Sequence, residues 1–244
     1  MHRFFAPVTG GNVQLCAEDI NHISNVLRLK QGEEIIVCDG QKNDYLCRIK
    51  EISKKHIEVE TLSVLKNESE PKCQITLFQG LPKADKMELI IQKCVELGIY
   101  KIVPVETERS IVKIKDGGEK KTARWQGISL SAAKQCGRGI VPEIGGITTF
   151  KDALKQMAAF PFAFMPYELQ QGNSLGSAVE SIKDKASEIA IFIGPEGGIS
   201  DEEAQLCKDA NIVPVTLGKR ILRTETAGFA ALIMIFSALG EYDE

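Results

Sequence analysis

Two glycine-containing turns in the last fifty residues carry the side chains best suited to chemistry. The first is the sequence GPEGG at residues 194–198, which follows an apolar run and precedes a predicted helix. Its glycines allow a ligand to approach the backbone closely. No lysine follows them, and Glu196 places a negative charge where a phosphate would have to bind. The turn therefore favours a neutral or cationic ligand, and a tight turn without a ligand is the alternative.

The second turn contains Gly218, Arg220 and Arg223. It precedes a helix for which Thr224 or Thr226 is the expected N-cap. Two arginines beside a glycine turn at the end of a strand indicate contact with a ligand. Pairing of these arginines with nearby glutamates is the alternative.

Basic side chains are concentrated in the middle of the chain. Residues 71–150 carry 13 basic and 8 acidic side chains, whereas the whole protein has a formal net charge of −3. A local basic region in an acidic protein predicts a surface that binds a polyanion, although a solvated face is the alternative. Lys83 and Lys86 lie at the start of a predicted helix, where the helix dipole disfavours cations. We therefore expect these two lysines to meet an anionic partner.

The elements that must position these residues change in character near residue 70. Residues 1–70 read as short strands with one helix, capped by Asp19, and predict a small β-barrel that ends in a polar linker at residues 66–71. From Cys73 onward, near-continuous apolar strands alternate with helices, which predicts an α/β domain with a parallel sheet covered on both faces. Ligands of such sheets bind beyond the carboxyl ends of the strands, where both glycine turns lie. The predicted strands of this domain are 75–79, 102–105, 161–165, 189–193 and 213–217, and the predicted helices are 85–97, 119–136, 150–158, 201–210 and 224–239.

The composition excludes several classes of protein. With 244 residues, 43% hydrophobic and 26% charged, the chain is neither collagen-like, nor a coiled coil, nor broadly disordered. Seven cysteines without a C-x-x-C pair, together with three histidines, argue against a metal site. The apolar run at residues 227–239 is too short to span a bilayer, and the start lacks the apolar core of a signal peptide. We expect a cytoplasmic protein with reduced thiols and with neither a metal nor a membrane partner.

Taken together, the motifs resemble the RsmE family, the ribosomal RNA small-subunit methyltransferase E group within the SPOUT superfamily. The resemblance extends over almost the whole chain, and its most specific segments are the two glycine turns. Ile199 and Ala84 depart from the family's usual phenylalanine and glycine. The segments that carry the resemblance are HRFF (2–5), HISNVLR (22–28), KMELIIQK (86–93), ETERS (106–110), GPEGG (194–198) and ILRTETA (221–227).

The resemblance implies more than the residues alone predict. It implies a PUA-like RNA-binding β-barrel over residues 1–70 and a SPOUT methyltransferase domain over residues 73–244, with a deep trefoil knot, a rare exception to unknotted topology. It also implies a homodimer formed through the SPOUT domain. The implied reaction is the methylation of N3 of a uridine in 16S rRNA of the small ribosomal subunit, with S-adenosyl-L-methionine as the methyl donor.

The implied reaction and the positions of individual residues suggest catalytic and RNA-binding roles, and the resemblance itself implies the cofactor-binding set. We expect Arg223 to stabilise an anionic uracil, and Glu196 to act as an acid–base or orienting group. The residues expected to bind the cofactor are Gly194, Glu196, Gly197, Leu217, Gly218, Leu222, Thr224, Thr226 and Ala227. The residues expected to bind RNA are Arg3, Phe4, Arg28, Lys83, Lys86, Arg109, Arg124, Lys134 and Arg138.

Three other functions are compatible with the sequence. A ribosome-assembly factor that has lost its methyl donor would keep the RNA-binding surfaces, but the intact glycines argue against such decay. A nucleotide-dependent enzyme would need the glycine turns to hold phosphates, which Glu196 opposes. A related SPOUT enzyme that acts on tRNA or on a ribose hydroxyl is the third alternative, and the barrel ahead of the knot argues against it.

Overall fold

The computed structural model of the protein describes residues 1–53, 56–110 and 118–243. They form two compact units. The first contains Met1–Glu70 and Ala133–Val141, and the second contains Pro71–Ala132 and Pro142–Glu244. The sequence analysis did not anticipate that residues 133–141 would belong to the first unit.

The first unit is built on a four-stranded sheet with the order β1-β4-β5-β6, in which β1 runs parallel to β4 and the other pairs are antiparallel. A two-stranded hairpin, β2–β3, precedes its helix, and Ile23, Ile35 and Val37 lie at 0% exposure in its core. The helix continues into a π-helical turn at His22–Val26. The elements of this unit are β1 (His2–Phe5), β2 (Val8–Thr9), β3 (Asn12–Val13), α1 (Ala17–Asn21), β4 (Glu34–Cys38), β5 (Asn43–Ile52) and β6 (Ile57–Lys66).

The prediction that Asp19 caps α1 was wrong. Cys16 is the N-cap, and its sulfur accepts a hydrogen bond from the backbone N–H of Asp19 at 3.4 Å. The Asp19 carboxylate is instead buried and accepts a hydrogen bond from Lys134 Nζ at 2.7 Å. Asp19 therefore helps to hold the later segment of the unit in place.

Glu70 provides a second attachment for that later segment. Its carboxylate accepts hydrogen bonds from Arg138 Nε at 2.9 Å and Arg138 Nη2 at 2.7 Å. It also accepts one from the backbone N–H of Gly139 at 2.8 Å. Because the side chains of Glu70 and Arg138 are only 5% and 4% exposed, this is a buried two-pronged ion pair.

The second unit contains a parallel sheet of seven strands, ordered β10-β8-β7-β12-β11-β13, with β9 also paired to β8. All the strands and helices predicted for it are present, with ends that differ by at most a few residues, but the short strands β9 and β10 and the short helix α5 were not predicted. Its elements are β7 (Gln74–Gly80), α2 (Lys86–Glu96), β8 (Lys101–Glu106), α3 (Glu119–Cys136, which ends in the first unit), β9 (Glu143–Ile144), β10 (Thr148–Thr149), α4 (Phe150–Met157), β11 (Ala163–Pro166), α5 (Leu175–Glu180), β12 (Glu188–Ile193), α6 (Asp201–Asp209), β13 (Val213–Val215) and α7 (Thr224–Ala238).

Helices cover both faces of this sheet because its central strands are apolar on both sides. Phe78 and Phe192 are partners across β7 and β12 and belong to the cluster that includes residues of α4 and α6. On the other face, α7 packs against α2, α5 and the two central strands. None of the helices among the described residues combines the length and the apolar character that a transmembrane segment requires.

Candidate active site

Two adjoining clefts lie beyond the carboxyl ends of β11, β12 and β13. The first cleft is lined by residues 166–168 and 216–222 together with Ala227. The second cleft has a volume of about 460 Å³ and is lined by Lys86, Pro166, Glu168, residues 193–199 and 221–224, and Ala227. This volume lies within the range of small-molecule sites. Because β11 lies between β12 and β13 in the sheet, the loops after all three strands meet here.

The turn after β12 requires glycine for packing as well as for its backbone conformation. Gly198 has a φ of +73° and its N–H donates to the carbonyl of Pro195, which closes the turn. A Cβ at Gly194 would lie 2.8 Å from the Ile199 side chain, and one at Gly197 would lie 3.0 Å from the backbone of Arg109. Close packing therefore explains these glycines in part, which agrees with the alternative interpretation that the segment is a tight turn. The following helix has Ser200 as its N-cap, and the Ser200 hydroxyl accepts a hydrogen bond from the backbone N–H of Glu203.

Gly218 shows a different constraint. Its φ is +116°, which disfavours a side chain, and nothing lies within 4 Å of the position that a Cβ would take. The turn after β13 thus presents open backbone to the first cleft, which Gly218 lines. Such a backbone can approach a ligand closely.

Thr224 joins three segments of the chain at the base of the second cleft. Its hydroxyl donates to the carbonyl of Gly194 at 2.6 Å and accepts a hydrogen bond from Gln79 Nε2 at 2.9 Å. Gln79 is 0% exposed and also donates to the carbonyl of Gly80 at 3.0 Å. The end of β7, the turn after β12 and the start of α7 are therefore fixed to one another by buried hydrogen bonds.

Glu196 is held by cationic and backbone donors. Its carboxylate accepts hydrogen bonds from the backbone N–H of Lys83 at 3.1 and 3.3 Å, and Lys86 Nζ lies 3.0 Å away. Lys86 Nζ also lies 3.3 Å from Glu225, and hydrogen bonding to Glu196 is the main reason that the pKa of Lys86 is raised. Partial burial by itself would raise the pKa of Glu196, but its bonds to Lys86 and Lys83 outweigh burial and lower it. A carboxylate held ionised in this way is a weak proton acceptor at neutral pH.

Arg223 is exposed and lines the second cleft. It is the N-cap residue of α7 by backbone conformation, but its side chain does not cap the helix. The expectation that Thr224 or Thr226 is the N-cap was wrong, because the Thr224 hydroxyl bonds to Gly194 instead. Among the described residues the Arg223 guanidinium has no ion-pair partner, so it is available to a ligand.

The structure brings eight of the nine expected cofactor residues to the two clefts. Thr226 is exposed and lines neither of them. The residues that line the first cleft are Leu217, Gly218, Leu222 and Ala227, and those that line the second are Gly194, Glu196, Gly197, Leu222, Thr224 and Ala227.

The sequence analysis missed the contribution of the loop after β11. Pro166 and Glu168 line both clefts, and Tyr167 lines the first. The position of these residues directly after a predicted apolar strand was the available signal, since ligands lie beyond the carboxyl ends of such strands.

In the first unit, the structure corrects several of the expected RNA contacts. Phe4 is 2% exposed in the core, and Arg138 is 3% exposed and paired with Glu70, so neither can reach a polyanion. The guanidinium of Arg3 forms two hydrogen bonds to Asp44, at 2.8 and 2.6 Å, and its side chain is only 9% exposed. Lys134 is bound to Asp19. These four residues maintain the fold.

Arg28 is the one RNA-contact candidate of the first unit that is both exposed and without an ion-pair partner among the described residues. Its φ of +54° places it in the left-handed region, directly after the π-helical turn. It remains a candidate for contact with a polyanion.

In the second unit, the expected RNA contacts differ in how far their charge is already compensated. Lys86 forms ion pairs with two glutamates, and Arg124 lies 2.7 Å from Glu88 although its side chain is 67% exposed. Arg109 is exposed, and its Nη1 donates to the carbonyls of Gly197 and Ile199, each at 3.3 Å. Lys83 has an exposed side chain without an ion-pair partner among the described residues. Lys83 therefore has the most available charge of this group.

Comparisons with known proteins identify the family of the chain. A family model described as an RNA methyltransferase domain matches residues 68–236, and one described as an RNA methyltransferase PUA domain matches residues 15–62. Ribosomal RNA small subunit methyltransferase E of Bacillus subtilis is 34% identical over 245 residues, which cover 96% of this chain and 96% of that protein.

Two solved structures are also similar along their whole length. Ribosomal RNA small subunit methyltransferase E from Neisseria gonorrhoeae, bound to S-adenosyl methionine, has a TM-score of 0.85 and 34% identity, and the match covers 97% of each chain. A putative methyltransferase from Legionella pneumophila, in complex with bound S-adenosyl methionine, has a TM-score of 0.87 and 32% identity, and covers 98% of each chain.

Proposed function

The chain belongs to the ribosomal RNA small subunit methyltransferase E family, and we infer from this that it transfers a methyl group from S-adenosylmethionine to 16S rRNA, at N3 of one uridine. The observation that carries the proposal is the convergence of eight expected cofactor residues on two adjoining clefts. The chain also aligns with two structures in which S-adenosyl methionine is bound.

The chemistry of the clefts fits this cofactor. Leu217, Leu222 and Ala227 supply apolar surface for a nucleobase, and the open backbone at Gly218 supplies hydrogen-bonding groups. Both signs of charge line the clefts, with Glu168 and Glu196 beside Lys86, Lys219, Arg220 and Arg223, which suits a ligand that carries cationic groups as well as a carboxylate. When bound, S-adenosylmethionine supplies an electrophilic methyl group.

Arg223 is proposed as the catalytic residue. N3 of uracil carries a proton, and its loss leaves a negative charge that is shared with the O2 and O4 oxygens. The exposed guanidinium of Arg223 can donate hydrogen bonds to one of these oxygens and so stabilise the anion. Paired uracil buries N3, so the target base must be unpaired or extruded before it enters the cleft.

Glu196 is proposed as an orienting group instead of a proton carrier. Its bonds to Lys83 and Lys86 keep it ionised, and they fix the turn after β12 against the start of α2. The Glu196→Gln variant should retain the shape of the pH–rate profile. A change in the acid limb of that profile would instead assign proton transfer to Glu196.

The proposed RNA contacts are the exposed cations that the structure leaves available. They are Arg28, Lys83, Arg109 and Arg124. Contacts between cations and phosphates release counterions, so affinity for rRNA should fall steeply as salt is raised. A triple replacement of Arg28, Lys83 and Arg124 by alanine should reduce the slope of log affinity against log salt by about 2–3.

A homodimer is proposed through α7 and α5. Ile233 is 45% exposed on α7, and Met234 lies beside Gly176 of α5 in a shallow apolar depression. A helix that is apolar on nearly all sides is expected to pack against another surface. We also propose a trefoil knot at the point where hydrogen bonds join residues 79–80, 194 and 224. We further propose that the protein acts in the cytoplasm, because its seven free thiols suit a reducing compartment.

The proposal is tested by mapping modified bases. Small subunits from cells that lack this protein should contain one uridine without its N3 methyl group, and adding the purified protein with S-adenosylmethionine should restore it. Arg223→Ala should abolish this restoration while calorimetry still detects binding of the cofactor. Loss of cofactor binding in the same variant would make Arg223 a structural residue, and an unchanged methylation pattern would reject the proposed reaction.

A further inference from the structure

We propose that Glu168 is the side chain that recognises the positive charge of the bound methyl donor and so distinguishes it from the neutral reaction product. This inference rests on the proposed function, because it concerns the same pair of clefts. It assigns a role to a residue in the loop after β11, for which the glycine turns gave no signal.

The junction between the two clefts has a distinctive chemistry. Five residues line both clefts, and Glu168 is the only charged one among them. The other four are Pro166, Ile221, Leu222 and Ala227. Glu168 is exposed to solvent, so its attraction for a cation depends on its position at the junction and not on burial.

Glu168 differs from Glu196 in its partners. Within the described residues its carboxylate has neither a salt bridge nor a hydrogen bond, whereas Glu196 is neutralised by Lys86. The basic residues of the site each line one cleft only. Lys219 and Arg220 line the first cleft, and Lys86 and Arg223 line the second. Glu168 is therefore the anion without a direct ion-pair partner among the described residues at the point where the clefts meet, although Arg109 Nη1 also approaches the turn at Gly198.

The backbone of the neighbouring turn is shaped to receive this carboxylate. A Cβ at Gly198 would lie 2.9 Å from Glu168 Oε1 and 3.9 Å from Arg109 Nη1. A side chain at position 198 would therefore displace Glu168. The glycine lets the carboxylate lie close to the turn after β12.

The charge of the methyl donor makes the inference specific. S-adenosylmethionine carries a positive sulfonium, and S-adenosylhomocysteine, which remains after the methyl group has left, carries a neutral thioether at the same place. The two molecules share their adenine, ribose, amino and carboxylate groups. A carboxylate that senses the sulfonium should favour the donor and should release the product more readily.

The test compares the affinities of both molecules for Glu168→Gln by titration calorimetry. Replacing the carboxylate should weaken binding of S-adenosylmethionine roughly tenfold, the factor that corresponds to about 1.4 kcal/mol, and should change binding of S-adenosylhomocysteine less than twofold. The matched control is Glu202→Gln, an exposed carboxylate at the start of α6 whose removal should leave both affinities unchanged. Glu168→Asp, which keeps the charge, should retain part of the preference for the donor.

The possible outcomes separate this inference from the proposed function. If the unmodified protein binds neither molecule, the proposed function fails. The inference is overturned if the unmodified protein binds both molecules and Glu168→Gln weakens the binding of both equally or of neither. Glu168 then does not distinguish the sulfonium from the thioether. Gly198→Ala provides a second measurement, because the displaced carboxylate should reduce the preference for the donor in the same direction.

Discussion

The hydrogen bonds of Thr224 permit a sharp prediction for the variant Thr224→Val. Valine has nearly the same shape as threonine but lacks the hydroxyl, so the variant loses the bond to the Gly194 carbonyl at 2.6 Å and the bond from Gln79 Nε2 at 2.9 Å. Both lie in a buried setting, since Thr224 is 6% exposed and Gln79 is 0% exposed.

The expected cost follows from the two lost bonds. Each buried hydrogen bond contributes about 1 kcal/mol net, and a buried polar group left without a partner costs about 1–3 kcal/mol. Gln79 keeps its bond to Gly80, so the larger penalty falls mainly on the Gly194 carbonyl. We expect Thr224→Val to reduce the free energy of unfolding by about 2–4 kcal/mol. Because Gly194 lines the second cleft, affinity for S-adenosylmethionine should fall as well.

Urea unfolding and calorimetry provide the assays, and two variants provide the controls. Thr224→Ser keeps the hydroxyl and should lose only about 1 kcal/mol, the value of a buried methyl group. Thr226→Val makes the same exchange at an exposed position and should change stability by less than about 0.5 kcal/mol. In the double variant with Gln79→Leu, the losses should be less than additive, because both partners are then removed. If Thr224→Val is as stable as the unmodified protein, or no less stable than Thr224→Ser, the three segments are not held together by this hydroxyl.

Three further predictions concern other parts of the molecule. Glu70→Gln breaks the buried ion pair with Arg138 and should reduce the free energy of unfolding by about 3–5 kcal/mol, while Glu68→Gln on the surface should leave urea unfolding unchanged. In the folded protein at pH 8, a thiol reagent should modify the exposed Cys16 rapidly and the buried Cys38, Cys73 and Cys207 slowly. The reason is that burial raises the pKa of these three thiols from 9.0 to about 11, about 12 and about 12, respectively. Denaturation should make all seven thiols react. Lys86→Met removes the cation that lowers the pKa of Glu196, so a carbon-13 NMR titration should show that pKa rising towards or above its ordinary value of 4.5. An unchanged titration would mean that the hydrogen bond from the backbone N–H of Lys83 is enough to lower this pKa.

The sequence was sufficient to predict the second unit because its elements are long and strongly patterned. The apolar run of β12 and the amphipathic pattern of α2 each specify one kind of element, and the observed ends differ from those predicted by a few residues at most.

The identity of a charged residue's partner could not be predicted in the same way. Arg138 lies in a flexible basic turn by sequence, yet its partner Glu70 is 68 residues away and the pair is buried. Phe4 was expected to contact RNA from the first domain, but its strand pairs with β4 and its side chain is buried in the core. Side-chain type indicates what a residue can bind, and only the fold determines which partner reaches it first.

Glu168 was missed for a topological reason. Its strand, β11, comes before β12 in the sequence but lies between β12 and β13 in the sheet. That order brings the loop after β11 between the two glycine turns. The sequence placed the loop after a predicted strand, but it did not give the order of the strands in the sheet.

The attachment of residues 133–141 to the first unit has a consequence for how the chain matures during synthesis. Glu70 leaves the ribosome 68 residues before Arg138, a delay of about 3–14 s at ordinary rates of elongation. Until then the nascent first unit lacks the segment that neutralises Glu70 and Asp19. A fragment that stops at residue 70 should therefore be an incomplete structure, whereas a fusion that appends residues 133–141 to it should restore cooperative folding.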